Sequence, residues 1–148
     1  MDRLPVMTSS LPFPESGSEN PFFTETRPWG SFTVLQDMPH YKLKLLQVTP
    51  GSRLSLQMHY HRAEHWFVVS GAAQVTVNDT TWLAPTGTAI DIPKEARHRV
   101  ANPGPDLLEI IEVQHGESFE ESDIVRFEDD YKRILLSFGF ITGGGFGK

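Results

Sequence analysis

Cysteine is absent from all 148 residues of this sequence. Its absence excludes disulfide bridges, thiolate nucleophiles and every zinc or iron–sulfur site that depends on cysteine. Any metal ion must therefore be bound through nitrogen and oxygen ligands.

Positive charge and long apolar runs are also scarce. The 13 Lys and Arg residues are outnumbered by 19 Asp and Glu residues, which gives a net charge of −6 at pH 7. Binding to phosphate backbones needs a basic face, so we expect no nucleic-acid partner. The longest nearly apolar stretch, 107–113, contains Glu109 and Glu112 and falls far short of the roughly 20 residues that a membrane helix needs. The N-terminal residues also contain no apolar segment typical of a secretory signal, so we expect a cytoplasmic protein with no membrane partner.

The length and the composition predict one globular domain with two tails. Five of the eleven prolines fall within the first 28 residues, among Ser, Glu and Asn, which predicts an extended or disordered arm over residues 1–24. The compact domain is expected over residues 25–128. Residues 129–148 are predicted to form a short helix and a Gly-rich tail.

Within the domain, apolar residues alternate with polar ones, and turn residues such as Pro-Gly and Asn-Asp separate short segments. Many short strands in one domain predict an all-β sandwich or barrel of the jelly-roll type. The predicted strands are Ser31–Gln36, Tyr41–Thr49, Arg53–His59, His65–Ser70, Ala73–Val77, Thr80–Leu83, Thr88–Ile92, His98–Ala101 and Leu107–Gln114.

A cluster of histidines suggests a metal site. Three of the six histidines lie within seven residues: His59, His61 and His65. On a strand, Gln57 and His59 share one face, and His61 follows them if the strand continues. Glu64, after a short bend, and His98, from a neighbouring strand, could complete a mixed nitrogen and oxygen set suited to zinc or another divalent ion. Spacing alone leaves open that these side chains are solvated or hydrogen-bonded within the fold.

Two segments resemble the paired motifs of the cupin superfamily. The first runs Gly51, five residues, Gln57-Met58-His59, four residues, Glu64, six residues and Gly71. The second runs Gly87, five residues, Pro93-Lys94-Glu95, two residues, His98, three residues and Asn102. Two positions depart from the usual pattern, because Gln57 replaces a histidine and Glu95 replaces a glycine.

The glutamine and several longer strings narrow the resemblance to one family. RPWGSF, LSLQMHYHRAEHWFVVSG, IPKEARHRVANPG, LEIIEVQ and DIVRFEDDY, within residues 27–131, look like the type II mannose-6-phosphate isomerase module. That module usually forms the C-terminal part of a bifunctional mannose-1-phosphate guanylyltransferase/mannose-6-phosphate isomerase of the GDP-mannose pathway. The sequence has no GxxxxGK[ST] loop, so we do not expect guanylyl transfer from it.

The resemblance implies a single cupin domain, that is, a double-stranded β-helix or jelly-roll barrel. It also implies a divalent metal bound by Gln57, His59, Glu64 and His98. Zinc is the favoured ion, and manganese, cobalt, nickel and iron are the alternatives.

The implied reaction interconverts mannose 6-phosphate and fructose 6-phosphate through an enediolate, which requires a Lewis acid and a base. His61 is the first candidate for the base, although it could instead be a metal ligand, and Lys94 or His65 could serve in its place. The sugar phosphate needs cationic partners. The candidates for this role are Arg53, which shares strand parity with Gln57, and Arg62, Arg99 and Lys44.

Other functions stay open at this point. A non-catalytic cupin module that binds a metal or a sugar fits the same motifs, and so does a cupin enzyme of another chemistry, although the glutamine disfavours a dioxygenase. The fold alone does not decide among them. A homodimer is expected, formed through a barrel edge to which the Pro-rich arm could add a strand.

Overall fold

A computed structural model describes residues 22–132. This part of the chain contains eleven β-strands and no helix, and therefore no helix that could cross a membrane. The expected N-terminal arm, up to residue 21, and the expected C-terminal helix, from residue 133, lie outside the described residues. The strands are β1 (Phe23–Arg27), β2 (Gly30–Asp37), β3 (Tyr41–Val48), β4 (Leu56–Met58), β5 (Arg62–Ser70), β6 (Ala72–Val77), β7 (Thr80–Pro85), β8 (Ala89–Ile92), β9 (His98–Ala101), β10 (Leu108–Gly116) and β11 (Val125–Glu128).

The strands form two antiparallel sheets that enclose one hydrophobic core. One sheet has the order β1-β2-β3-β10-β5-β8, and the other has the order β11-β4-β9-β6-β7. Alternate residues of each central strand point inward, and large apolar side chains from both sheets fill the interior. This is the predicted all-β jelly-roll barrel, and the prediction of the fold class is confirmed.

The interior changes from apolar to polar along three neighbouring strands. In β10, Leu108 and Ile110 are fully buried and are followed on the same face by buried Glu112 and Gln114. Glu112 lies opposite Lys44 of β3 on one side, and Gln114 lies opposite Glu64 of β5 on the other. Because the strands are in register, their polar inward residues meet at the same end of the barrel, and this end carries the candidate site.

Every predicted strand has a counterpart, but two strands were missed and one is shorter than expected. β1 and β11 were not predicted, and β1 begins at Phe23, inside the expected arm. The predicted strand Arg53–His59 shrinks to Leu56–Met58, because the residues before it pair with β9 only through an isolated bridge between Arg53 and Ala101. The strand parity that was expected to turn Arg53 inward with Gln57 is therefore wrong.

The residue that replaces the usual cupin glycine adopts a backbone conformation typical of glycine. Glu95 has a φ of +65°, and its backbone N–H donates to the carbonyl oxygen of His59 at 2.9 Å. The left-handed conformation costs a residue with a Cβ more than it costs glycine, which explains the usual preference at this position. The hydrogen bond ties the turn before β9 to the histidine motif.

Candidate metal centre

Three buried side chains meet at the polar end of the barrel. His59 follows β4, Glu64 lies in β5 and His98 begins β9, so three separate segments bring them together. Each offers one ligand atom, and these atoms all lie within 4.8 Å of one another. The three side chains are at most 3% exposed. This geometry fits a divalent metal ion bound by two imidazoles and a carboxylate.

The ring of His59 is held with one nitrogen facing the cluster. Its Nδ1 lies 2.5 Å from the backbone oxygen of Asp123. A carbonyl oxygen can only accept, so Nδ1 carries a proton, and Nε2 faces the cluster, 3.2 Å from Glu64 Oε1 and 3.3 Å from Nη2 of Arg62. Histidine ligands of metal ions are commonly fixed by such a hydrogen bond at the other ring nitrogen.

His98 is oriented in the same way. Its Nδ1 donates to the backbone oxygen of Ala96 at 2.9 Å, and its Nε2 lies 3.5 Å from Glu64 Oε2. This Nε2 atom is buried and makes no hydrogen bond within residues 22–132. Burial lowers the pKa of His98, which favours the neutral ring that a metal ion requires. A buried lone pair without a hydrogen-bond donor is what an inward-facing metal ligand presents.

Glu64 lies between the two histidines as a carboxylate. Burial by itself raises the pKa of this group, but the neighbouring His98, His59 and Arg62 outweigh burial and hold the pKa well below its usual range. The indole Nε1 of Trp66 also donates to Glu64 Oε2 at 2.9 Å. The cluster therefore offers one carboxylate oxygen and two imidazole nitrogens as ligand atoms.

Gln57 lies next to this cluster. It is directly opposite His98 in the pairing of β4 with β9, and it lines the same cavity as His59 and Glu64. Its Oε1 accepts a hydrogen bond from Ser55 Oγ at 3.1 Å. Its role as a fourth ligand stays a prediction.

Two residues of the cluster, His59 and Glu64, line a cavity of about 70 Å³ whose walls carry both charged and apolar side chains. Two of the four predicted phosphate-binding residues, Lys44 and Arg62, line this cavity, together with two basic residues that the sequence analysis missed, Arg27 and Arg126. The complete lining is Arg27, Trp29, Phe32, Lys44, Leu46, Leu54, Ser55, Gln57, His59, Arg62, Glu64, Glu112, Gln114, Glu121, Ile124 and Arg126. These four cations outnumber the three carboxyl groups of the same lining, Glu64, Glu112 and Glu121, and this balance favours an anionic ligand.

The other two predicted phosphate-binding residues lie outside the cavity lining. Arg53 is exposed and forms a two-point ion pair with Asp130, at 2.7 and 2.8 Å. Arg99 donates to the backbone oxygen of Leu54 at 2.9 Å and to Glu128 through its side-chain and backbone oxygens at 3.1 and 3.2 Å. These contacts join β9 to β11 and to the segment before β4, which indicates a structural role for Arg99.

The predicted bases lie at the surface. β4 ends at Met58, so the strand parity expected for His61 is lost. The side chain of His61 is 55% exposed and its Nδ1 lies 3.8 Å from Glu117. Lys94 Nζ is likewise 3.8 Å from Glu117, and His65 contacts the exposed Asp91. None of the three lines the cavity, and their catalytic roles stay predictions.

Glu112 is a cavity residue that the sequence analysis missed. It is 6% exposed, accepts a hydrogen bond from Gln114 Nε2 at 2.7 Å, and shares the indole N–H of Trp66, at 3.2 Å, with Glu64. Burial, helped by the charge of Glu64, raises the pKa of Glu112 to about 8. The sequence did indicate this position, because alternation along the strand LEIIEVQ (residues 108–114) puts Glu112 on the same inward face as Ile110.

Curated proteins similar to this chain are much longer than the chain. The chain is 53% identical over 107 residues to the alginate biosynthesis protein AlgA of Pseudomonas aeruginosa, covering 72% of this chain and 22% of that protein. It is 47% identical over 108 residues to the mannose-1-phosphate guanylyltransferase ManC of Salmonella typhimurium, covering 73% and 22%. The chain thus spans about a fifth of the length of these relatives.

Solved structures support the fold at low sequence identity. The capsular polysaccharide assembling protein CapF from Staphylococcus aureus matches with a TM-score of 0.65 and 20% identity, over 74% of this chain and 35% of that chain. A protein from Klebsiella pneumoniae with a double-stranded β-helix domain matches with a TM-score of 0.58 and 17% identity, over 66% and 83%. These likenesses show the cupin fold.

The family follows from the sequence match. The model of the mannose-6-phosphate isomerase C-terminal family matches residues 17–129, a range that contains the metal-ligand candidates and every residue of the cavity lining. The identities to AlgA and ManC extend over 107 and 108 residues of this chain. The chain therefore belongs to the mannose-6-phosphate isomerase C-terminal family of cupin proteins.

Proposed function

We propose that this chain is a metal-dependent isomerase that interconverts mannose 6-phosphate and fructose 6-phosphate, with zinc as the favoured ion. The observation that carries the proposal is the buried cluster of His59, Glu64 and His98 at a cavity lined by four cationic side chains. A sugar phosphate brings both groups that such a cavity can bind, adjacent oxygen ligands for a cation and a phosphate for arginine and lysine.

The residues of this chain supply distinct parts of the proposed reaction. A divalent ion bound by His59, Glu64 and His98, with Gln57 as fourth ligand, would supply Lewis-acid polarisation of the sugar oxygens. Lys44 and Arg62 bind the phosphate and hold the open-chain sugar in one orientation. Trp66 fixes the Glu64 carboxylate through its indole N–H, so this ligand needs little rearrangement.

Proton transfer between C2 and C1 also needs a group inside the cavity. Glu112 is a carboxyl group in the cavity wall, and in this proposal its ionised fraction, which grows as the pH approaches the pKa of about 8, takes the proton from C2 and returns it to C1. A second proton passes from the O2 hydroxyl to O1, which completes the change from aldose to ketose. The sequence-based candidate, His61, would have to act from outside the cavity lining.

An isomerase assay on metal-loaded protein tests the proposal. We expect turnover of mannose 6-phosphate by the parent protein and loss of most activity in His59→Ala and Gln57→Ala, while His115→Ala, an exposed histidine, serves as the matched control. Absence of turnover with zinc, manganese, cobalt, nickel and iron would overturn it. Thermal stabilisation by mannose 6-phosphate without turnover would instead indicate a binding module. The homodimer and the cytoplasmic location stay predictions.

A further inference from the structure

A lysine buried in the wall of the cavity is paired with an exposed carboxylate. The side chain of Lys44 is 5% exposed, and its Nζ lies 2.8 Å from Glu121 Oε1. The same Nζ lies 4.5 Å from the centre of the Phe32 ring, which also stabilises a cation. Both charged residues line the cavity.

Glu121 reaches Lys44 from the segment 117–124, which connects β10 to β11. Its side chain is 56% exposed, in contrast to the buried lysine. Burial raises the pKa of Glu121, but the charge and the hydrogen bond of Lys44 outweigh burial, so the net pKa lies below its usual range. Glu121 is therefore an anion at neutral pH. The exposed carboxylate regains water when it leaves, whereas the buried Lys44 then needs another anion as its partner.

Other cationic side chains line the same cavity as Glu121. Arg62 is 4% exposed and is held by the backbone oxygen of Glu120, in the same segment, at 3.1 Å. Its Nε is buried without a hydrogen bond inside residues 22–132, and it lies 3.6 Å from Glu64 Oε1. Arg27 and Arg126 line the same cavity. A dianionic phosphate can contact several of these cations at once, whereas one carboxylate contacts Lys44 alone.

We propose that Lys44 is the centre of a phosphate-monoester subsite, and that the Glu121 carboxylate occupies this subsite until a sugar phosphate displaces it. This inference rests on the proposed function for the identity of the ligand. Glu121 thereby acts as a specificity-determining residue, because a neutral sugar cannot compete with its carboxylate for Lys44. Displacement also frees the segment 117–124 from one of its contacts with the barrel.

Phosphate binding to the full chain tests this proposal. The probes are inorganic phosphate and mannose 6-phosphate, and isothermal titration calorimetry measures their Kd. Removing the competing charge in Glu121→Gln should tighten the binding of both probes by about threefold or more. The matched control is Glu117→Gln, because Glu117 is exposed on the same segment and pairs with Lys94 outside the cavity. Its Kd values should equal those of the parent protein.

A second variant identifies Lys44 as the binding partner. Lys44→Met keeps the length and the apolar stem of the side chain and should weaken phosphate binding about tenfold. In the background of Lys44→Met, Glu121→Gln should not tighten phosphate binding, because the cation for which Glu121 competes with phosphate is gone. Equal or weaker phosphate binding in Glu121→Gln than in the parent protein overturns the proposal. The proposal is also overturned if Glu121→Gln tightens phosphate binding as much in the Lys44→Met background as in the parent protein.

These outcomes are separable from those of the isomerase assay. Tighter phosphate binding in Glu121→Gln without any isomerase activity would support the subsite and overturn the proposed reaction. Isomerase activity with unchanged phosphate affinity in Glu121→Gln would leave the reaction standing and overturn the role of Glu121.

Discussion

Asp123 contacts His59 with its backbone and the loop around His59 with its side chain. The backbone oxygen of Asp123 accepts the Nδ1–H of His59. Its two carboxylate oxygens accept the backbone N–H groups of Tyr60, at 3.1 Å, and His61, at 2.9 Å. One residue near β11 therefore fixes both the imidazole tautomer of a metal-ligand candidate and the path of the chain immediately after it.

Loss of the Asp123 carboxylate should weaken metal binding. Asp123→Ala removes the two acceptors that hold the loop after His59, so the imidazole loses part of its fixed position. We expect the Kd for zinc to rise by about 10-fold to 100-fold, as for other groups that orient metal ligands. Competition with a chromophoric chelator measures this change. Asp130→Ala is the control, because Asp130 binds Arg53 away from the cavity, and an equal change in both variants would contradict the assignment.

Removal of His98 should abolish stable metal binding. Its imidazole supplies one of the three clustered ligand atoms, and His59 and Glu64, even with the weak neutral ligand Gln57, should not hold a divalent ion against a chelator. Elemental analysis of purified His98→Ala should give less than about a tenth of the metal content of the parent protein. Addition of a chelator should lower the Tm of the parent protein and leave that of His98→Ala unchanged. A similar drop in both would show that the metal lies elsewhere.

Titration of Glu112 should make the metal-free protein less stable as the pH rises. Burial and the charge of Glu64 raise the pKa of Glu112 to about 8, although Lys44 and Arg62 act in the opposite direction. Between the ordinary glutamate pKa of 4.5 and the raised pKa of about 8, the folded protein therefore binds more protons than the unfolded chain. The free energy of unfolding should therefore fall from about pH 5 to about pH 8.

The Glu112→Gln variant tests this dependence. It keeps the shape of the side chain and removes its charge, so the decrease across that pH range should shrink by about 1 kcal/mol or more. Urea unfolding of chelator-treated protein at several pH values measures it. Glu117→Gln, which replaces an exposed carboxylate, should keep the parent slope. Equal slopes for Glu112→Gln and the parent protein would contradict the prediction.

The two arginines that lie outside the cavity should differ in their effect on stability. Arg99→Ala removes three hydrogen bonds that join β9 to β11 and to the segment before β4, and we expect the free energy of unfolding to fall by about 2 kcal/mol. Arg53→Ala breaks only a surface pair and should leave that free energy unchanged within error. Urea unfolding of both variants measures the difference. An equal change in the free energy of unfolding of both variants would show that the contacts of Arg99 do not stabilise the fold more than the surface pair of Arg53 does.

The glycine that begins β2 should tolerate no side chain. Gly30 has a φ of +145°, and a Cβ there would lie 1.9 Å from the backbone oxygen of Gln47. Gly30→Ala should lower the free energy of unfolding by about 3 kcal/mol or more. The matched control is Gly87→Ala, where φ is +88° but a Cβ would meet nothing within 4 Å, and the expected cost is about 1 kcal/mol. Thermal unfolding of both variants measures the two losses of stability. A larger loss in Gly30→Ala would show that the contact with the Gln47 backbone adds to the effect of the positive φ, and equal losses would contradict this.

The strands that sequence alternation predicted are those with one buried face. β10 alternates between buried and less buried residues along nearly its whole length, and such a pattern is visible without any structure. β1, with the sequence FTETR, contains no fully buried residue. It exists because its backbone pairs with β2 in a hairpin, and a hairpin with two partly exposed faces leaves little hydrophobic signal.

The candidate site was predictable where it depends on local spacing and unpredictable where it depends on the paths of loops. His59 and Glu64 are five residues apart, and a motif can encode their approach. The contact between Lys44 and Glu121 joins residues 77 positions apart in the chain, so it depends on where the segment after β10 crosses the barrel. For the same reason the surface position of His61 was missed, because strand parity says nothing about a residue beyond the end of a strand.

The hydrogen bonds of the two histidines to backbone carbonyls also bear on how the protein acquires its metal. Because Asp123 and Ala96 hold the rings of His59 and His98 through the barrel itself, folding can complete the ligand geometry before any ion arrives. Ions can then exchange without unfolding, and the metal recovered with the protein will reflect the relative supply and affinity of the ions that reach it. The metal content of a preparation should consequently change with the growth medium while the barrel stays the same.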